Sequence, residues 1–313
     1  MTGAESCRIC YQPILKEHSL REMMFGLRDE FVYRECSACG SLQISEVPND
    51  IERYYPPYYY SFKVKIPELK KKSSGLKSMI AKLWVKKRER KSRKQILGYL
   101  SPMNVSRNHK ILDVGCGRGE LICRMFNMGF ESVEGTDMYL PQEINYGHGV
   151  RVIKKQLQEI ADETYNLVMM HHVFEHMFDP EEELKQCFRI LKNRSFLMIR
   201  IPVKGFAWEK YQTNWVQLDA PRHFFIHTVE SMRILTERSG FKLHDIIFDS
   251  SAFQFEGSEL YRRDIPLYDT KTHEFHRSKS VLTKQERKFF KNEARRVNEN
   301  QTGDQAIFYL YKE

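Results

Sequence analysis

The sequence predicts an α/β fold, in which a mostly parallel sheet is covered by helices on both faces and follows a small β-rich module. Three observations support this prediction. From residue 110 onward, short apolar runs alternate with stretches of helical periodicity, an order that is typical of parallel sheets. A glycine-rich stretch follows the first of these apolar runs. Before residue 48, extended segments surround two cysteine pairs.

The composition is that of an ordinary globular protein. The chain has 313 residues, of which 41% are hydrophobic, enough to bury a core of one or two domains. It contains no run of about 18 apolar residues, and its first residues lack the pattern of a signal peptide. We therefore expect a cytoplasmic protein, in which structural disulfides are rare.

The positive charge is concentrated in one segment. Residues 63–94 contain 14 Lys or Arg residues and two Glu residues, so the formal charge of this segment is +12. The whole chain carries +9, so the remainder is slightly acidic. Such a segment can bind nucleic acid, anionic lipid or a phosphorylated substrate. Apolar residues recur through it at helical spacing, namely Leu76, Met79, Ile80, Leu83 and Trp84. This pattern predicts a basic amphipathic helix that ends near Leu100, before Ser101 and Pro102.

These patterns divide the chain into three parts. Residues 1–47 form the cysteine-containing module, and residues 48–100 form a linker, rich in Pro and Tyr, together with the basic helix. Residues 101–313 form the α/β domain. Its last two predicted strands, FKLHDIIF and AIFYLYK, are separated by an insertion at about residues 250–303, which is too long for a plain connection.

The two cysteine pairs have the spacing of a metal site. Cys7 and Cys10 form one C-x2-C motif, and Cys36 and Cys39 form a second one after a gap of 25 residues. Two such turns can present four thiolates tetrahedrally, as in a zinc ribbon. The motif predicts a structural Zn²⁺ with no open coordination position. The alternative is a set of free thiols or redox pairs.

The stretch ILDVGCGRGE, residues 111–120, indicates a cofactor site. Gly115, Gly117 and Gly119 allow a tight turn after a strand and bring the backbone close to a ligand at the start of the next helix. Asp137 ends the following strand, at a distance in sequence that suits a carboxylate for ribose hydroxyls. A nucleotide-like cofactor is therefore expected. The alternatives are a plain strand-to-helix turn and a dinucleotide cofactor, whose G-x-G-x-x-G fingerprint differs from the glycine spacing here.

Four motifs together, ILDVGCGRGE, EGTD, YNLVMMHHVFEH and ILKNRSFLMIRIP, closely resemble those of the class I S-adenosylmethionine-dependent methyltransferases. The resemblance covers about residues 90–250. It implies a Rossmann-like, seven-stranded sheet whose last strand, here residues 306–312, is antiparallel and inserted between the fifth and sixth strands. It also implies S-adenosylmethionine as the cofactor. The implied cofactor-binding residues are Asp113, Gly115, Cys116, Gly117, Gly119, Asp137, Met138, Gln156, Leu157 and His171.

Two histidine-rich stretches are candidates for the catalytic groups. The first stretch, HHVFEH, covers residues 171–176 and follows the fourth predicted strand; its catalytic candidates are Glu175 and His176. On a helix, His172 and His176 would share a face, which suggests metal binding. A packing role is the alternative. In a second stretch, residues 214–228, Asp219 or Glu175 would orient His223 as a general base. Arg222 would hold a phosphate or carboxylate, or else tie the loop to the sheet.

The overall layout also resembles that of methyltransferases of bacterial surface-polysaccharide and sugar modification, some of which carry an N-terminal zinc module. This resemblance implies a glycan, nucleotide-sugar or lipid-linked sugar acceptor, methylated on oxygen or carbon. Residues 54–60 and 250–268 would then wall the sugar pocket.

Two rival functions differ in the partner that they assign to the basic segment. An RNA methyltransferase would bind phosphates with this segment and the zinc module, although no RNA-binding motif is visible. A non-catalytic adaptor would place the basic helix on an anionic membrane surface, and an enzyme of lipid-linked sugars could also lie peripherally at the inner membrane face.

Overall fold

A computed structural model describes residues 6–59, 65–69, 81–276 and 278–313, with the backbone alone described for residues 81–89. Three residues of the predicted apolar stripe, Leu76, Met79 and Ile80, lie outside the described residues, as do the side chains of Leu83 and Trp84. The chain divides into two compact units. The first comprises Met1–Tyr59, His172–Lys185 and Ile199–Phe308, and the second comprises Tyr60–His171, Gln186–Met198 and Tyr309–Glu313. The predicted domain boundaries at residues 47 and 100 stay predictions.

The described residues form strands and helices in the following order. The strands are β1 (Ile14–Arg21), β2 (Glu30–Cys36), β3 (Leu42–Ile44), β4 (Lys110–Val114), β5 (Ser132–Thr136), β6 (Ile144–Gly147), β7 (Val150–Ile153), β8 (Tyr165–His171), β9 (Leu191–Pro202), β10 (Phe225–Ile226), β11 (Lys242–Phe248) and β12 (Gln305–Lys312). The helices are α1 (Ala81–Leu100), α2 (Glu120–Asn127), α3 (Pro180–Ile190), α4 (Phe206–Tyr211), α5 (Val229–Arg238), α6 (Phe253–Arg262) and α7 (Lys284–Glu299).

The larger sheet confirms the predicted Rossmann-like α/β fold. Its strand order is β11-β12-β9-β8-β4-β5-β7-β6, so that β12 lies between the fifth and sixth strands of the predicted set. β4 pairs in parallel with β5 and β8. The end of β9 lies beside the start of β12: the N–H of Val203, the residue after β9, donates to the carbonyl oxygen of Asp304, the residue before β12, at 2.9 Å. The end of β12 meets the start of β9, where Lys312 Nζ donates to the Leu191 carbonyl oxygen at 2.6 Å. These two strands therefore run in opposite directions, as expected.

One strand of this sheet was not predicted. An eighth strand, β6, pairs antiparallel with β7 at the edge of the sheet. It has only four residues, and none of them is buried, so its sequence is too short and too polar to mark a strand. Helix α2 begins at Glu120, directly after its N-cap Gly119, which takes a left-handed φ of 81°.

A smaller, antiparallel sheet contains the N-terminal strands in the order β1-β2-β3-β10. Its fourth strand comes from residues far along the chain, because Phe225 and Ile226 pair with Gln43 and Leu42. The turn of the second cysteine pair is held from the same side, since Thr228 Oγ1 donates to the Cys39 carbonyl oxygen at 2.6 Å. The N-terminal module is thus continuous with the rest of the first unit.

The predicted insertion is largely helical. Helices α6 and α7 belong to the apolar core of the first unit, where the rings of Phe255 and Phe290 stack at 5.4 Å. Of the tyrosines expected to wall a pocket, Tyr54 and Tyr59 are buried, and Tyr59 packs against Phe25. Tyr60 lies outside the described residues.

The described part of α1 packs through one face only. Ile96 and Leu100 are buried, whereas Lys91, Arg93 and Lys94 are exposed. Within the part of the chain that the structure describes, none of the helices combines the length and the apolar character that a bilayer span requires.

Arg222, in the first unit, is fully buried. Its guanidinium donates to Glu22 Oε1 at 2.8 Å and to the Tyr54 carbonyl oxygen at 3.0 Å, and its Nε donates to both oxygens of Asp219 at 3.1 Å. The expectation that Arg222 holds a phosphate or carboxylate of a ligand is therefore wrong, because its donors are bound to groups of the chain itself.

Replacing Arg222 by Met should lower the free energy of unfolding by about 3–5 kcal/mol, because Glu22 would remain buried without a countercharge. Arg296→Met is the matched control. It removes an exposed pair with Glu293, which should cost less than about 1 kcal/mol. Urea denaturation measures both effects, and equal losses would contradict the structural role of Arg222.

Candidate active site

The glycine loop after β4 presents bare backbone to open space. Gly115, Gly117 and Gly119 all have left-handed φ values, of 63°, 53° and 81°. A Cβ atom at Gly119 would lie only 2.8 Å from Val152 Cγ2, so close packing also requires glycine there. A Cβ at Gly117 would meet no heavy atom within 4 Å. The loop therefore borders a space into which a ligand could come against the peptide groups.

Asp137, which directly follows β5, is held by this loop. Its Oδ2 accepts a hydrogen bond from the Gly117 N–H at 2.8 Å, and its Oδ1 accepts one from the Tyr139 N–H at 2.9 Å. Each carboxylate oxygen can accept a further hydrogen bond. Asp137 is thus oriented by the backbone and still able to bind a pair of hydroxyl groups.

Asp113 lies beneath the loop and is buried. Burial, and next the negative charge of Asp137, raise the pKa of the Asp113 carboxyl to about 8. Burial also raises the pKa of the neighbouring Cys116 thiol well above its usual value. Two carboxyl groups without a cation between them are an unfavourable arrangement, and a positively charged ligand would relieve it.

The other predicted cofactor residues differ in their accessibility. Thr136 Oγ1 donates to the Lys155 carbonyl oxygen at 2.5 Å, which holds the segment leading to Gln156 beside the end of β5. Gln156 is exposed, and Met138 is 39% exposed. The Leu157 side chain is buried, and its carbonyl oxygen accepts from Arg189 at 2.8 Å. Leu157 therefore contributes to the core, with no side chain available to a ligand.

A cavity of about 400 Å³ lies next to the start of α2. Its lining residues are Lys91, Ser92, Gln95, Ile96 and Tyr99 of α1, Glu120, Leu121 and Arg124 of α2, and His171 at the end of β8. His171 was expected at the cofactor; its ring lies 5.5 Å from that of Tyr99. The residues of α1 were missed, although their spacing in sequence places them on one face of a helix.

The four cysteine sulfurs of the N-terminal module form one cluster. Their Sγ atoms all lie within 4.8 Å of one another, with Cys7 and Cys39 3.7 Å apart and Cys10 and Cys36 3.3 Å apart. None of the seven cysteines, all of which lie in the described residues, forms a disulfide. Zn²⁺ bound at ~2.3 Å to four sulfurs would place them ~3.8 Å apart, so this donor set fits a tetrahedral zinc ion.

The second candidate site is a buried group of acids and histidines in the first unit. The Glu175 carboxylate lies 3.3 Å from His172 Nδ1 and 3.9 Å from His223 Nε2, and Asp219 Oδ2 lies 3.7 Å from the same nitrogen of His223. The rings of His176 and His223 meet edge to face at 4.8 Å. The structure thus brings together the four predicted catalytic residues.

The charges of this group depend on one another. Burial would raise the pKa of Glu175, but His172, His176 and His223 lower it to about 2. Burial, and next the charge of His176, lower the pKa of His223 to about 4. His223 is therefore neutral and Glu175 ionised at neutral pH. The role of His223 as a general base stays a prediction.

His172 and His176 do not share a helical face, contrary to expectation. His172 takes a φ of 54°, and Phe174–His176 form a single 3-10 turn. His172 Nε2 accepts a hydrogen bond from Arg200 at 2.6 Å, so its Nδ1 carries the proton that faces Glu175. His172 therefore presents an N–H to the carboxylate, in a contact that is too poorly aligned for a hydrogen bond.

Comparisons with known proteins agree with this geometry. Residues 77–246, more than half of the chain, match the model of the family described as methyltransferase domain. The ubiquinone biosynthesis O-methyltransferase of Maricaulis maris is 30% identical over 147 residues, which cover 41% of this chain and 56% of that protein. The chain thus spans about half the length of this curated relative.

Solved structures with a similar fold include two methyltransferases of low sequence identity. A SAM-dependent methyltransferase from Archaeoglobus fulgidus is 19% identical, with a TM-score of 0.46, over 75% of this chain and all of that one. Phosphoethanolamine N-methyltransferase 2 of Haemonchus contortus is 14% identical, with a TM-score of 0.43, over 70% of this chain and 52% of that one. On the family match, which extends over most of the α/β sheet, the chain belongs to the methyltransferase domain family.

Proposed function

We propose that this protein transfers a methyl group from S-adenosylmethionine to a small polar acceptor of the sugar type, on oxygen or carbon. The observation that supports the cofactor best is the hydrogen bond from Gly117 to Asp137 in a chain of the methyltransferase domain family. It fixes a carboxylate, suited to the ribose diol, beside peptide groups that no side chain covers. When bound, S-adenosylmethionine supplies an electrophilic methyl group on a positively charged sulfur.

The chain's own residues would bind and orient the cofactor. Asp137 accepts hydrogen bonds from the ribose hydroxyls, and Gly115 and Gly117 border the methionine part. Asp113 offers a buried carboxyl whose negative form a bound ammonium or sulfonium group stabilises. The cavity beside α2 gives room for part of the cofactor next to His171. Catalysis then consists mainly of alignment for an in-line displacement.

The acceptor side of the proposal is supported by the group around Glu175. Methylation of a hydroxyl or a carbon acid requires a proton to leave, and buried imidazole and carboxylate groups are suited to receive it. A sugar-type acceptor, such as a glycan, a nucleotide-sugar or a lipid-linked sugar, agrees with the resemblance of the whole layout to sugar methyltransferases. A small aromatic acceptor is the second candidate, because the 30% identical relative is named as a ubiquinone biosynthesis O-methyltransferase.

We also propose that the cysteine cluster holds a structural Zn²⁺. Four sulfurs at tetrahedral spacing leave no position for a substrate. Backbone N–H groups of Ile9 and Ala38 point at the sulfurs of Cys7 and Cys36, each at 3.4 Å, which stabilises the thiolate form that zinc requires.

Asp137→Ala should weaken the binding of S-adenosylmethionine by about tenfold to a hundredfold, because each lost charge-assisted hydrogen bond contributes roughly 1.5–3 kcal/mol. Calorimetry measures this loss.

Incubation of the wild type with labelled S-adenosylmethionine and separate pools of sugar nucleotides, glycans, small phenols and RNA identifies the acceptor, and Asp137→Ala should transfer no label.

Asp162→Ala is the matched control for this substitution, since Asp162 is an exposed acid that pairs with Arg189 in the same unit. It should bind the cofactor as the wild type does. Unchanged affinity of Asp137→Ala would disprove the ribose assignment, and label in the RNA pool alone would replace the sugar-type acceptor by RNA.

Cofactor binding should release a proton at pH 7. Asp113, with a pKa of about 8, is mostly protonated there, and a cationic ligand lowers that pKa and drives the proton off. Affinity should therefore rise with pH up to about 8 and level off above it. Calorimetry in two buffers of different ionisation enthalpy counts the released protons. Asp113→Asn should release none, and a wild type that also releases none would contradict the assignment.

Cys36→Ser should lose the zinc ion and destabilise the N-terminal module, because three thiolates bind zinc much less tightly than four. Elemental analysis and thermal unfolding test this expectation. Cys123→Ser changes a buried cysteine of α2 outside the cluster and should retain the metal. Wild-type protein that takes up no zinc would rule out the site.

A further inference from the structure

The group around Glu175 contains a buried carboxylate that the rest of the chain does not satisfy. Glu175 is fully buried, and neither of its oxygens accepts a well-aligned hydrogen bond from a residue that the structure describes, since the His172 Nδ1–H that faces Oε1 at 3.3 Å is poorly aligned. The nearby guanidinium of Arg222 is already shared by Glu22 and Asp219. An unpaired carboxylate in the interior is strongly unfavourable, so this position calls for a cation.

Hydrogen bonds to backbone carbonyl oxygens fix which ring nitrogen of two histidines carries the proton. His176 Nδ1 lies 2.7 Å from the Arg222 carbonyl oxygen, and His223 Nδ1 lies 2.9 Å from the Gln217 carbonyl oxygen. A carbonyl oxygen can only accept, so both Nδ1 atoms carry the proton. In the neutral rings the lone pair is then on Nε2. This is the arrangement in which metal-binding histidines are usually held, with the second nitrogen donating to the protein.

These groups are close enough together to share one ion. One ligand atom each from Glu175, His176 and His223 can be chosen so that all three lie within 4.8 Å of one another. A cation bound at ~2.0–2.2 Å to each of them requires separations of about 3–3.6 Å, which side-chain rotations of up to about 1 Å would supply. His223 Nε2 also lies 3.9 Å from the Glu175 carboxylate and 3.7 Å from that of Asp219, so the surrounding negative charge favours a bound cation.

We infer that Glu175, His176 and His223 form a binding site for one divalent cation, separate from the cysteine cluster. Two imidazoles and one carboxylate suit Zn²⁺, Mn²⁺ or Fe²⁺ better than Mg²⁺ or Ca²⁺, which prefer oxygen ligands alone. Two further residues lie outside the set of ligands. Asp219 is bound to Arg222, and His172 faces the Glu175 carboxylate. Three protein ligands leave coordination positions open.

Metal binding by the full-length protein tests this inference without cofactor or acceptor. Titration with Zn²⁺ and, separately, with Mn²⁺, followed by calorimetry and elemental analysis, should show one cation per chain in addition to the zinc of the cysteine cluster. Glu175→Gln and His176→Gln should bind this additional cation at least about a hundredfold more weakly, beyond the loss typical of outer-sphere partners. His276→Gln is the matched control, because this half-exposed histidine donates to the Pro266 carbonyl oxygen outside the group. It should bind the cation as the wild type does.

A second measurement needs no variant and therefore does not depend on the folding of one. Mn²⁺ should broaden the ring signals of His176 and His223 in the nuclear magnetic resonance spectrum of the wild type, and leave those of His276 sharp. Absence of this broadening, or equal affinity of both variants and the wild type, would overturn the inference. Cofactor affinity and label transfer are measured separately, so failure of the proposed methyl transfer would leave a positive metal result intact.

Discussion

A buried guanidinium organises the first unit. Arg222 cannot lose its proton, so its burial requires that carboxylates be supplied by the fold. They come from Glu22 near β1 and from Asp219, while the Tyr54 carbonyl oxygen completes the set. Three segments distant in sequence are thus tied to one planar group. These contacts also fix the position of the loop that contains His223.

The glycine loop and Asp137 could be predicted because the signals are local. A strand, a run of alternate glycines and a carboxylate at the end of the next strand all lie within about thirty residues, and their chemistry needs only the crossover that parallel sheets adopt. The position of the last strand between the fifth and sixth followed from the family resemblance and is confirmed. Strand β6 was missed because it has only four residues and none of them is buried. The face of α1 that lines the cavity was missed because a helix pattern alone does not reveal what the helix covers.

The group around Glu175 shows where sequence reasoning loses precision. Four residues that it selected, Glu175, His176, Asp219 and His223, do come together. Their roles could not be assigned from spacing, because these roles depend on which nitrogen of each ring meets a carbonyl oxygen and on where the guanidinium points. The helical pairing of His172 with His176 failed for the same reason: a left-handed residue and a single 3-10 turn separate them.

The pairing of β3 with β10 has a consequence for how the molecule forms. The amino-terminal sheet lacks its fourth strand until residues 225 and 226 have left the ribosome. A nascent chain therefore carries an incomplete, open-edged sheet through most of its synthesis, and such edges are prone to adventitious pairing. Contacts of this sequence separation also slow the search for the native topology. Completion of the amino-terminal sheet therefore waits until most of the chain has been made.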